Sequence, residues 1–411
     1  MEKVGLTKTI EKVLFISNGH GEDLNAVQIL KALRTEHPQI EIGAMPIVGH
    51  GNAYRNLNIK IIGPTELLPS GGFVYTSTFK LLTDIRSGLF TLLWRQIQAI
   101  RQYGDDCDAV FAIGDVIVLI GAYLSGKPYM AFTSSSSAYY ENRMKFDLLT
   151  DWLLKSDRCR QIFTRDRYTA QMLNAQGYSK AICVGLPAMD ALEIIDKDLR
   201  SQPNLPFIAL LPGSRLPEAG TNLQLLLDLA IATTPLFPEG VQFYAAVTPN
   251  LCAPDRNGII PLQQLAEQHG WEYHSAGYLI YPKYQLKVRY RYDAFADILA
   301  QSDLVAGMAG AAMEQAVGLG KPVIQIPSAG PQFTYAFAEA QMRLLGSSVQ
   351  TIGTKPATIE TITQAAQVIH QTLADAEYLE QCRVNGLERI GGAGGGEAMA
   401  RIFAAEFLKT N

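Results

Sequence analysis

Short apolar runs alternate with helix-patterned stretches along this chain, and the alternation runs through twice. KVLFIS (12 to 17) leads through a glycine-bearing turn, NGHGED, into DLNAVQILKAL, whose apolar residues recur at helical spacing. IEIGAMPIV and NIKIIGP read as the next strands. AVFAIGD (109 to 115) and PYMAFT (128 to 133) flank the helix VIVLIGAYLSG, and RQIFTRD, TAQMLNAQG and AICVGLP repeat the rhythm. Such spacing predicts parallel βαβ units. Residues 186 to 206, LPAMDALEIIDKDLRSQPNLP, interrupt it with charge and proline. It restarts with PFIALLPGSR, a helix, VQFYAAVTP, WEYHSAG, a helix through DAFADILAQS, DLVAGM and PVIQIP. An α/β fold with two doubly wound domains facing a cleft is therefore expected. Residues 1–188 form the first domain, 189–396 the second, and 397–411 a helix crossing back onto the first after a glycine-rich turn. At 411 residues two cores are the default. Open α/β sheets bind ligands at the C-terminal ends of their strands.

A net charge of −4 provides no global field for nucleic acid, so none is expected as a partner. The five cysteines are far apart and form no metal-binding spacing, which reads as reduced, mostly buried thiols. No long apolar segment precedes the first strand. The longest apolar run, within 109 to 124, is interrupted by Asp115 and is short of the ~20 residues of a bilayer span. A cytoplasmic location is expected.

The second half carries the most specific pattern, GMAGAAMEQAVGLGKPVI (307 to 324). Gly310 and Ala311 open a helix almost stripped of side chains, where backbone N–H groups and the helix dipole favour phosphate. Glu314, read as buried, stands one turn in and could accept both hydroxyls of a ribose; the alternative is an ordinary βαβ turn with a local cap. Gly213, Ser214 and Arg215 end the strand IALLPGSR. Glycine allows close backbone approach, and the fork-shaped arginine cation suits a diphosphate, unless this is merely a strand-end turn. Gln332 and Thr334, in GPQFTY, could reach phosphate or sugar oxygens, or form a polar rim.

In the first half, SNGHGED (17 to 23) places His20 between Gly19 and Gly21, with Asn18, Glu22 and Asp23 beside it. Asn18, Gly19 and Gly21 would let an acceptor approach the backbone. Transfer to a hydroxyl needs a base: His20 suits neutral pH, Glu22 or Asp23 could serve, and Asp115 at the end of AIGD is a further candidate. Equally, Asp23 and Asp115 could cap helices while His20 packs. Asp106-Cys107-Asp108 spells a DxD triplet but precedes a buried strand, so no metal is expected. The segment 67 to 102 interleaves Phe73, Tyr75, Phe79, Phe90 and Trp94 with Lys80, Arg86, Arg95 and Arg101. It could touch a membrane surface, or be a core-facing helix.

On these motifs the chain resembles lipid-A-disaccharide synthase and its less characterised related proteins. More distantly it is similar to the peptidoglycan N-acetylglucosaminyltransferase and to UDP-N-acetylglucosamine 2-epimerase. VLFISNGHGEDLNA, VFAIGD, TRDRYTAQML, VGLPAMD, IALLPGSRLPE and SDLVAGMAGAAMEQAVGLGKPVI carry the likeness. The resemblance implies two Rossmann-like domains of the GT-B type and an inverting, metal-independent sugar transfer. It implies a UDP-sugar donor, with no further cofactor, and a lipid-linked or glycolipid acceptor; the alternatives are a UDP-N-acetylglucosamine 2-epimerase-like enzyme and a non-catalytic nucleotide-sugar-binding protein. Ser214 and Arg215 would face the diphosphate and Glu314 the ribose. Two departures fall on the acceptor side. SNGHGED stands where that synthase has a Gly-Glu-Ala-Ser-Gly-Asp type loop, and Asp115 is followed by VIVLIG without a second aspartate. Another sugar acceptor than that of lipid A is therefore expected.

Overall fold

The computed structural model describes residues 12–65, 89–195, 197–330 and 332–408, apart from the side chains of His20, Leu89 and Phe90. The chain packs as two units. One comprises the chain up to Ala191 together with the residues from Ala393 onward; the other is Leu192–Gly392.

In the first unit the strands are β1 (Lys12–Ser17), β2 (Glu41–Pro46), β3 (Lys60–Ile61), β4 (Ala109–Ile113), β5 (Tyr129–Thr133), β6 (Cys159–Thr164) and β7 (Ala181–Ile182). All pair in parallel, in the order β3-β2-β1-β4-β5-β6-β7. NIKIIGP contributes only the two residues of β3. Alternation along the strands covers both faces. Leu14, Ile16, Val110 and Ala112 point into one core. On the other face Phe111 stacks on Phe15, Phe163 and Phe403, with ring centroids 5.5 to 5.8 Å apart. Phe403 belongs to the C-terminal helix, Gly395–Phe407, which packs along the first helix, His20–Glu36.

The glycines that open that helix have a steric cause. A Cβ on Gly395 would come within 2.7 Å of the Gly185 backbone, and one on Gly396 within 3.1 Å of the Gln28 backbone. Asp190 then accepts the backbone N–H groups of Gly394 and Gly396, the latter at 2.7 Å, which satisfies donors that a helix start leaves unpaired.

The second unit contains β8 (Phe207–Leu211), β9 (Gln242–Ala246), β10 (Glu272–His274), β11 (Tyr278–Tyr281), β12 (Leu286–Arg291), β13 (Leu304–Gly307), β14 (Val323–Gln325) and β15 (Val349–Thr351). Their order is β10-β11-β12-β9-β8-β13-β14-β15. Here the sequence expectation needs correcting. Between WEYHSAG and the helix Phe295–Gln301 lie two further strands, and β10, β11 and β12 form an antiparallel meander. YLIYPKYQLKVRYRY is rich in β-branched and aromatic residues, and β12 alternates buried and more exposed positions. Turns at Gly277 (φ 93°) and Gln285 (φ 49°) reverse the chain. The core beneath β8 and β9 is filled by Leu223, Leu226, Leu227 and Ala230 of the helix Glu218–Thr233.

No described helix is long and apolar enough to cross a membrane. All five cysteines are free thiols; Cys107, Cys159 and Cys382 are buried.

Candidate functional site

Each sheet has one point where strand order reverses, between β1 and β4 in the first unit and between β8 and β13 in the second. Helices leave the two strands of such a pair toward opposite faces, so a crevice opens at their C-terminal ends. Both groups of sequence-selected residues fall at these points.

In the second unit three loops follow the adjacent strands β8, β13 and β14. Gly213 adopts φ 89°, a left-handed conformation natural to glycine, and a Cβ there would meet the Met308 carbonyl oxygen at 3.1 Å. The loop after β8 therefore lies directly against the loop after β13. Gly310 precedes the helix Ala311–Gly318, and a Cβ added to it would touch nothing within 4 Å, so the helix start is open to an approaching group. Glu314 lies in the first turn of that helix and is half-buried, not buried as the sequence reading has it. Buried Met313 and Gln315 on either side take the inward positions, which turns Glu314 partly outward. Ser214 is exposed and Arg215 half-buried; Arg215 Nη1 lies 3.5 Å from Gln332 Oε1 in the loop after β14. Thr334 is exposed, and its hydroxyl accepts the Phe337 N–H as cap of the helix Tyr335–Leu345. Gly213, Ser214, Arg215, Gly310, Ala311, Glu314 and Gln332 thus share one end of one sheet.

Sequence reasoning missed the side chains that hold these loops. Asn222 Nδ2 donates to the Pro212 carbonyl at 3.0 Å, and Gln341 Nε2 donates to the Gly310 carbonyl at 3.2 Å. Glu218 Oε1 accepts the backbone N–H groups of Gln332 and Phe333 at 3.0 and 2.9 Å. Glu218 stands inside the quoted run LPGSRLPE, the one signal that could have found it.

In the first unit the loop after β1 meets the loop after β4. Asn18 Oδ1 lies 2.7 Å from where a Cβ on Gly114 (φ 141°) would stand, which brings Asn18 beside the segment bearing Asp115. Asp115 accepts the Ile117 N–H at 2.9 Å and caps the helix Val116–Leu124. His20 opens the first helix and its side chain lies outside those described; Gly19 is the N-cap. A Cβ on Gly21 would meet nothing within 4 Å. Glu22 is half-buried, whereas Asp23 is 2% exposed. Ser17 Oγ donates to Asp23 Oδ1 at 2.6 Å and lies 2.7 Å from the Tyr54 hydroxyl, making a buried Tyr54–Ser17–Asp23 chain. Burial raises the Asp23 carboxyl to about 7, partly offset by the Ser17 bond and reinforced by neighbouring Glu22.

Other sequence candidates sit elsewhere. Asp108 accepts the Lys12 N–H at 3.2 Å, and exposed Asp106 lies 4.0 Å from Lys12 Nζ, at the opposite end of β1 from Asn18. Burial pushes the Cys107 thiol up to about 11. Among the described residues no group of three or more His, Cys, Asp or Glu could hold a metal. Of the segment 67 to 102, Phe73, Tyr75, Phe79, Lys80 and Arg86 lie outside the described residues. Within the helix Leu89–Asp106, Leu92, Gln96 and Ile100 face the core and Trp94 is exposed.

No protein-family model and no curated protein matches this chain. Solved structures do match it over nearly its whole length. The UDP-GlcNAc 2-epimerase from Neisseria meningitidis bound to UDP-GlcNAc is 15% identical with a TM-score of 0.53, covering 97% of this chain and 100% of that one. A UGT transferase from Siraitia grosvenorii in complex with UDP is 12% identical with a TM-score of 0.56, at the same coverages. The UDP-GlcNAc 2-epimerase from Methanocaldococcus jannaschii is 12% identical with a TM-score of 0.52, covering 96% and 99%. The shared property is the fold: two α/β domains with largely parallel sheets, as in GT-B glycosyltransferases and UDP-GlcNAc 2-epimerases.

Proposed function

We propose that this chain is a UDP-sugar-dependent, inverting and metal-independent glycosyltransferase acting on a lipid-linked or glycolipid hydroxyl. One observation carries the reading. The Gly213–Arg215 turn, the open start of the Glu314 helix and Gln332 meet at the reversal point of the second sheet. That arrangement suits a nucleoside diphosphate, with backbone N–H groups and a guanidinium for phosphate and a partly exposed carboxylate for ribose hydroxyls. The presence of UDP-bound and UDP-sugar-bound proteins among the structural neighbours supports the donor class.

In the proposed reaction the acceptor oxygen attacks the anomeric carbon as the bond from that carbon to the UDP oxygen breaks. The acceptor proton passes to a base and UDP leaves with its electron pair. Arg215 and the open N–H groups stabilise charge growing on the diphosphate, a term worth about 3 kcal/mol per well-placed donor. For the base we favour His20, whose imidazole suits neutral pH, with Glu22, Asp23 and Asp115 as the alternatives. N-acetylglucosamine is the preferred sugar, by resemblance.

The test is calorimetric binding of UDP and UDP-N-acetylglucosamine in chelator to wild type and Glu314→Ala, followed by turnover with and without lipid-linked sugar acceptors. Micromolar UDP binding weakened at least tenfold by Glu314→Ala, about 1.4 kcal/mol, is expected. UDP release should require an acceptor. Conversion of the donor sugar with no acceptor would replace transfer by epimerisation, and absence of UDP binding by wild type would end the uridine-donor reading.

A further inference from the structure

The loop that carries Gln332 is held by an unusual group. Glu218, in the first turn of the helix Glu218–Thr233, is 6% exposed. One carboxylate oxygen takes both the Gln332 and the Phe333 N–H; the other, Oε2, has no hydrogen-bond partner among the described residues. Burying a carboxylate in this way is unfavourable, and leaving two loop N–H groups unpaired would be unfavourable as well. The backbone opposite is kept bare for it. A Cβ on Gly330 would come within 2.3 Å of Glu218 Oε1, 2.6 Å of Cδ and 2.8 Å of Cγ. One turn further along the same helix, Asn222 holds the Pro212 carbonyl at the root of the Arg215 loop. A single helix face thus grips both loops whose side chains meet at Arg215 and Gln332.

We propose that Glu218 is a positioning residue for the diphosphate end of the donor site, fixing the Gln332 loop at the distance where Gln332 and Arg215 present to one ligand. The proposal rests on the donor-site reading above. It also separates roles. The Gln332 and Phe333 amides are committed to Glu218, so this loop meets the ligand through the Gln332 side chain. Glu218 touches no ligand itself.

The experiment measures UDP binding by calorimetry and uridine binding by ligand-observed NMR for wild type, Glu218→Ala, Glu218→Gln, Gly330→Ala and the Glu218→Ala/Gly330→Ala pair. Melting temperature is recorded for each. Glu218→Ala should weaken UDP at least tenfold and leave uridine within twofold. Glu218→Gln keeps an oxygen able to accept both N–H groups and should stay within threefold of wild type for UDP. Gly330→Ala displaces the carboxylate and should resemble Glu218→Ala. In the double variant the alanine methyl occupies vacated space, so its loss should equal that of Glu218→Ala alone. Wild-type UDP binding with unchanged affinity in Glu218→Ala would overturn the proposal. So would parallel losses of UDP and uridine with a fall in melting temperature, or losses at 218 and 330 that simply add. Failure of wild type to bind UDP is a separate result that removes the donor-site reading itself.

Discussion

Asp23 shows how one buried side chain couples chemistry to stability. Its folded carboxyl sits near 7 against an ordinary 3.8, chiefly through burial. Between those values the folded chain keeps a proton that the unfolded chain has released. The favourable contribution is therefore complete below about pH 3.8 and is lost as pH rises to about 7. Asn at 23 carries no such titration. Asp23→Asn should gain stability relative to wild type across this window, by on the order of 3–4 kcal/mol at the upper end. Urea unfolding at pH 4.5 and pH 8 checks it, and an offset independent of pH would refute the assignment. Arg215 permits a test of a different kind. Lysine keeps the charge but not the planar fork. Arg215→Lys should lower kcat/KM about a hundredfold while leaving uridine binding intact; equal weakening of uridine would mean that the residue serves the fold instead.

Among the elements, the C-terminal helix is the clearest case of distant sequence completing a local core. Phe403 is fully buried against Phe111, and Asp190 holds the helix start by two N–H groups. Phe403→Ala should cost about 3–5 kcal/mol, because truncation leaves a cavity between Phe111 and Phe407, the rings that Phe403 packs against. Asp190→Ala should cost about 1–3 kcal/mol, as two donors lose their acceptor. Limited proteolysis should then cut near 391 to 396 first in both variants. Cleavage elsewhere with the C-terminal helix retained would contradict this account of its anchoring.

On the scale of the whole molecule, each unit has its own sheet and core, so ligand effects can be assigned to one of them. UDP bound at the proposed donor site should slow hydrogen exchange in β8, β13 and the Glu314 helix. At a hundredfold excess over Kd the added protection should approach about 2.7 kcal/mol where exchange requires opening of the second unit. Protection confined to β1 and the first helix would move the nucleotide to the other sheet.

Fold class was legible in the sequence because parallel strands buried on both faces leave continuous apolar runs, and KVLFIS, AVFAI and FIALL become β1, β4 and β8. The turns that could bear ligands were legible because close backbone approach requires glycine, as at Gly213 and Gly310. The meander β10–β12 was not, since its strands are short and charge interrupts the apolar pattern of β10 and β12. Nor were the supports of the site: Glu218 and Gln341 are polar residues within helices, and only the path of the chain shows that one meets the Gln332 loop and the other Gly310. Glu314 illustrates the division. Its place one turn into a small-residue helix follows from the sequence alone. Its half-exposure follows from the packing of Met313 and Gln315 toward the core, a three-dimensional constraint that no local pattern contains.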